Sequence, residues 1–305
     1  MQPPELFKKG YCPLCATILD KSNTSREHVF PKWLLDQYKL ADERLTLLNG
    51  TTIKYSQITI PVCKICNNER FGRLESKVKK IVASKRVLKK DEYFIVIWLT
   101  KIYLGIRYLE QGLLIDRSKK EKGNILPEGF FEDQSQLMYT LIRTYSKDYH
   151  FPNNRFPWSF FQYRISEREK NRYWFFDSLG TPFVAIQLGT LGIICLLTDG
   201  GGQSVILKEG YGDLKRRKFM FIHFRELTAK HLFKESLRDY IPRFMTLENE
   251  ISGIHLVNLT SHFRYKKWKN EDYNNVFAHF TGVDLTTIDI PPGGTVTTIP
   301  TRNKT

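Results

Sequence analysis

Four of the chain's five cysteines fall in two Cys-x-x-Cys pairs, Cys12/Cys15 and Cys63/Cys66, and nothing else in the sequence restricts the fold as tightly. Each pair sets two thiolates on one short knuckle, and two knuckles together supply the four sulfurs of a tetrahedral zinc site. No apolar leader precedes Cys12, so a secreted disulfide framework is not expected. The expectation is a structural Zn²⁺ on Cys12, Cys15, Cys63 and Cys66, bracing a module too small for a full core of its own. Positions 16 to 62, 47 residues, are too many for a short zinc ribbon and leave room for a loop and a hairpin. Cys195, in the apolar run 192–197, reads as a small core hydrophobe.

The segment between the knuckles has its own punctuation. A short strand is expected at Thr17–Leu19, then a polar turn over 20–25. Pro31 should break the following strand and open a short helix carrying Trp33, Leu34 and Leu35 into the module's core. Residues 44–61 alternate loosely around Asn49-Gly50, a hairpin signal. After Cys66 a helix is expected from near Glu69, with Leu74, Val78, Ile81 and Val82 on its inner face. Its other faces carry Arg70, Arg73 and Lys77, which are either phosphate contacts or a solvated surface.

The chain's net charge of +15 is concentrated here. Residues 1–90 hold 18 Lys and Arg against 8 Asp and Glu, a surplus of ten; the remaining 215 residues hold 29 against 24, a surplus of five. A polyanion suits such a surface, because each neutralised phosphate releases condensed counterions. Nucleic acid is therefore the expected partner. The runs 93–106 and 183–197 are too short or too interrupted to span a bilayer, so no membrane role is expected and the reading is a soluble, cytoplasmic chain.

Between the knuckles stands Glu27-His28. Phosphodiester hydrolysis needs an activated water and a counter-charge for the departing oxygen. Histidine, with a pKa of about 6.5, suits the first task at neutral pH. In an extended segment Glu27 faces away from its neighbour and can hold a divalent cation for the second.

Cys12-Pro13-Leu14-Cys15, Arg26-Glu27-His28-Val29-Phe30-Pro31-Lys32-Trp33-Leu34 and Cys63-Lys64-Ile65-Cys66-Asn67-Asn68 together resemble the HNH (ββα-metal) endonuclease family over about residues 11–80. The string from Cys66 to Glu75 also resembles a bacterial branch of uncharacterised HNH-like proteins. The resemblance implies a β-hairpin and a helix clamped around a catalytic metal, with a four-cysteine zinc as brace. By position it implies Glu27 as acidic metal ligand, His28 as general base and Asn67 as the residue bracing the histidine's loop. The family's final His or Asn is missing: residues 74–79 read Leu, Glu, Ser, Lys, Val, Lys. Glu75 is expected in its place, with Asn68 in reserve, and a carboxylate there favours Mg²⁺ or Mn²⁺. The implied substrate is DNA before RNA, the implied products carry 5′-phosphates, and a restriction-type or antiviral-defence effector is one setting.

Beyond a boundary expected at 87–92, the pattern predicts a larger α+β domain over 91–290 with a mostly antiparallel sheet. Helices are expected at 92–111, 132–146 and 226–239, and strands at 159–165, 172–177, 182–189, 191–197, 203–208, 217–224 and 253–258. Gly200-Gly201-Gly202 reads as a hairpin turn, 264–269 as a surface strand or a single-strand-binding stretch, and 291–305 as a flexible tail. The second domain is open to roles in specificity, ligand sensing (through the aromatic segment 149–158) or homo-oligomerisation. Three functions follow: a metal-dependent endonuclease, a nucleic-acid-binding module without catalysis, or a latent nuclease governed by the second domain.

Overall fold

The computed structural model describes residues 10–126, 132–145, 149–152, 155–207, 212–214, 216–249 and 253–300. Two compact units divide the chain. The first takes in residues 1–154 and 246–257, the second 155–245 and 258–305. The units therefore do not part at 87–92. A short 3-10 turn at Lys89–Asp91 leads straight into the next helix of the first unit.

In that unit β1 (Thr24–His28) is followed by α1 (Lys32–Tyr38), and Pro31 caps the helix as its punctuation predicts. β2 (Arg44–Thr46) and β3 (Thr52–Lys54) form the hairpin around Asn49-Gly50, with Gly50 at φ +75°, a conformation glycine adopts without penalty. β4 (Thr59–Cys63) then returns antiparallel to β1, pairing Glu27 with Ile60 and His28 with Thr59. In place of the strand expected at 17–19 there is an isolated bridge between Tyr11 and Ile18.

From Ile65 to Phe71 the backbone makes a π-helical turn, which runs into α2 (Gly72–Ala83). Leu74, Val78, Ile81 and Val82 are buried, the inner face their spacing predicts. α3 (Glu92–Gln111) is apolar almost all round, and a helix of that kind belongs inside a core. Trp98 and Tyr103 are fully buried, and Trp98 stacks on Trp33 with ring centres 6.1 Å apart. α4 (Glu132–Thr144) follows, then β5 (Tyr149–His150), so the segment 149–158 begins as a strand; residues 146–148 and 153–154 lie outside the described residues.

The second unit is built on β6 (Ser159–Ile165), β7 (Tyr173–Ser178), β8 (Phe183–Leu188), β9 (Leu191–Leu196) and β10 (Lys218–Phe219). Their order is β10-β6-β9-β8-β7, antiparallel except for β10 against β6, so the mostly antiparallel sheet is present. Every residue of β8 and β9 is buried, Cys195 included. The strand expected at 203–208 is instead α5 (Gly202–Ile206), entered through Gly200-Gly201; of 217–224 only β10 is strand, and 221–224 belong to α6 (Phe221–Ser236). β11 (Phe244–Asn249) and β12 (Gly253–Asn258), which fall mainly in the first unit, add to β5 in the order β11-β12-β5.

α7 (Asn270–Thr281) packs on α6 through Phe233, Tyr273, Phe277 and Phe280. Trp268 packs at this cluster and Arg264 pairs with Asp239 at 2.7 Å, so much of 264–269 is committed to the fold. The expected tail is also corrected. Ile299 is buried, and Thr297 and Thr298 donate to the buried Glu226 at 2.6 Å. Only residues 301–305 lie outside the described part of that segment. No helix among the described residues is long and apolar enough to cross a membrane.

Candidate functional site

The four knuckle cysteines converge. Their sulfurs all lie within 4.8 Å of one another, with Cys12, Cys63 and Cys66 buried and Cys15 half-buried. A tetrahedral zinc–thiolate site with bonds of about 2.3 Å places its sulfurs about 3.8 Å apart, so this donor set can hold a metal such as zinc. The thiols are unoxidised and Cys15 Sγ is 3.5 Å from Cys63 Sγ. Crowding polarises them. Hydrogen bonds from Cys12 and Cys66 hold Cys15 far below the ordinary thiol range, while Cys12 is pushed up to about 12 by its hydrogen bond to Cys15 and by burial.

The cluster fixes the start of the π-helical turn, and Asn67 uses that turn to reach back to β1. Its Nδ2 donates to Ser25 Oγ at 2.6 Å and to the Arg26 carbonyl at 3.2 Å. These bonds tie the helix side of the module to the strand that presents Glu27 and His28. The result is two antiparallel strands with a helix beside them, in which Glu27, Glu75 and the His28 carbonyl meet at one place and Asn67 holds the strand just before them.

What joins the two carboxylates is a lysine. Lys101, on α3 and fully buried, donates to Glu27 Oε1, to Glu75 Oε1 at 2.5 Å and to the His28 carbonyl at 3.1 Å. Burial opposes its charge, but Glu75 and Glu27 outweigh burial and hold its pKa above the ordinary lysine range. For Glu27, burial and the neighbouring Glu75 prevail over Lys101 and raise the carboxyl's pKa. We read Lys101 as the protonated partner, since two carboxyl groups and a carbonyl all face its ammonium.

A glycine makes this reach possible. A Cβ on Gly105, one turn beyond Lys101, would stand 2.7 Å from Val29 Cγ2, so α3 lies against the chain just past His28.

The donor set suits a hard cation, since oxygens of Glu27, Glu75 and His28 converge on one point. The ammonium of Lys101 already stands at that point. Among the described residues the four cysteines are the one group of three or more His, Cys, Asp or Glu side chains close enough to share a metal. Asn68, the reserve ligand, is exposed on the π-helical turn.

His28 is half-buried. Its Nδ1 is fully enclosed and has no hydrogen-bond partner among the described residues. Burial first, then the charges of Lys32 and Lys101, lower its pKa, so the ring is neutral at pH 7 and able to accept a proton. The basic residues divide. Lys77 Nζ sits 3.3 Å from the centre of the Phe94 ring, and Arg70 Nη1 lies 4.0 Å from Cys66 Sγ. Arg73 is exposed.

In the sequence Lys101 stands as a charge within the apolar run 93–106. That interruption was itself the signal, because a lysine in the middle of a buried helix needs carboxylate partners. No protein-family model matches this chain, and no curated protein or solved structure matches it.

Proposed function

We propose that the first unit is a zinc-braced phosphodiesterase acting on nucleic acid, an endonuclease of the HNH kind with DNA as the favoured substrate. The observation that carries this reading is the approach of Glu75 on α2 to Glu27 beside His28 on β1, with Asn67 bracing that strand from the π-helical turn beside the four cysteines.

His28, half-buried and kept neutral at pH 7, accepts a proton from the attacking water. Asn67 holds β1 so that His28 keeps its position. Glu27 and Glu75 would hold Mg²⁺ or Mn²⁺ in exchange for Lys101, and such an ion supplies positive charge for the phosphorane and the leaving oxygen. Arg73 and the other basic side chains of α2 would take the flanking phosphates.

The test is cleavage of supercoiled plasmid with Mg²⁺ or Mn²⁺ by the wild type and by His28→Ala. A base of this type contributes about 10²–10⁴-fold, so the variant should lose at least about a hundredfold in rate. Undiminished cutting by the variant removes His28 from the mechanism.

The Lys101 contacts favour a second reading, a module that binds nucleic acid without cutting it, because the lysine already satisfies both carboxylates. In that case neither protein cuts, and both bind DNA with an affinity that falls steeply with salt.

A further inference from the structure

A cavity of about 540 Å³ opens in the second unit, within the size range of small-molecule sites. It is lined by one face of α6, where Leu227, Lys230, His231 and Lys234 recur at helical spacing, and by Phe161 of β6 opposite. Leu207 and Trp268 extend the apolar wall.

The polar groups sort by what they already bind. His231 is fully buried and both ring nitrogens are engaged, Nε2 with Tyr163 Oη at 2.6 Å and Nδ1 with Gln203 Oε1 at 2.8 Å. Burial lowers its pKa to about 3, so it is a neutral, satisfied wall with no proton to trade. Lys230 is held by the buried Glu226 at 2.6 Å.

Lys234 differs. Its Nζ lies 4.3 Å from the centre of the Tyr265 ring, and no carboxylate among the described residues pairs with it. Its neighbours on the helix cannot neutralise it, since Glu235 is drawn to Arg238 at 3.1 Å and Glu226 to Lys230. An apolar cavity with one uncompensated ammonium attracts a molecule with an apolar body and an anionic group.

We propose that the second unit binds a small organic anion with an aromatic or aliphatic body in this cavity, with Lys234 as its counter-ion. This site is independent of the nuclease reading, and stands or falls without it.

The experiment uses a matched pair of fluorescent probes on the full chain. Anilinonaphthalenesulfonate carries the anion, and N-phenylnaphthylamine has the same rings without it. The sulfonate should bind saturably. Lys234→Met, which keeps the apolar stem, should weaken it by at least about tenfold, while the neutral probe changes by less than about twofold. Leu207→Trp, which fills the cavity, should reduce both.

Sulfonate affinity left unchanged by Lys234→Met overturns the proposal, as does the absence of saturable binding of the sulfonate to the wild type. Lys234 is a partly exposed side chain on a helix already formed, so its variant keeps the fold and decides the matter even if Leu207→Trp does not fold.

Discussion

At the scale of single residues the chain turns on Lys101. An ammonium with no exposure to solvent is tolerated because Glu27 and Glu75 face it, and removing one partner from such a set leaves the others uncompensated. Lys101→Met should therefore destabilise the first unit by about 3–5 kcal/mol in urea denaturation without divalent ions. The same substitution vacates the point where the two carboxylates meet. Mn²⁺ should then bind the variant at least about tenfold more tightly than the wild type by calorimetry, and raise its melting temperature more. Equal Mn²⁺ affinity in the two proteins would mean that Lys101 and the ion do not share these carboxylates.

At the scale of elements, the close approach of α3 to β1 assembles the site. Gly105 and Val29 touch where a side chain on position 105 would collide. Gly105→Val should push α3 outward, cost about 1–3 kcal/mol and draw Lys101 away from Glu27. A urea midpoint equal to that of the wild type would show slack between helix and strand. The π-helical turn is the matching device on the other side, carrying Cys66 into the sulfur cluster and Asn67 onto β1 within one widened turn.

At the scale of the whole molecule the two units should respond to different insults. A metal on the four cysteines would stabilise the first by coupling binding to folding. One zinc per chain is expected by elemental analysis, and chelation should open residues 10–126 to trypsin while 155–300 resists. Equal digestion of both segments would contradict this.

The second unit carries a buried acid-sensitive group. Folded His231 resists protonation down to about 3, against 6.5 when free, because burial disfavours its charge. The unfolded chain takes up that proton first, so this contribution to stability is present above about pH 6.5 and is lost as pH falls toward 3. Burial raises Asp199 to about 6 and Glu235 to about 7, so their contributions run the other way, present in acid and lost as pH rises through those values. The wild type should exceed His231→Gln in urea midpoint at pH 7, and the gap should narrow by pH 4. A gap constant with pH would rule out a neutral His231.

The sequence by itself determined what depends on local spacing. The knuckles, the Pro31-started helix, the Asn49-Gly50 hairpin, the inner face of α2, the extent of α3 and four sheet strands all follow from patterns a few residues long. It misread 203–208 and the second half of 217–224, where short apolar runs suit a strand and a helix equally. It also missed α7 and the docking of 291–300, whose burial depends on partners distant in the chain.

Glu27, His28, Asn67 and Glu75 were legible one by one, since each has a chemistry suited to its position. Only tertiary structure decided that Glu27 and Glu75 share a cation, and that this cation is Lys101. It lies 26 residues from Glu75 and 74 from Glu27, and no pattern of local spacing spans such separations. Helix packing alone brings the three together.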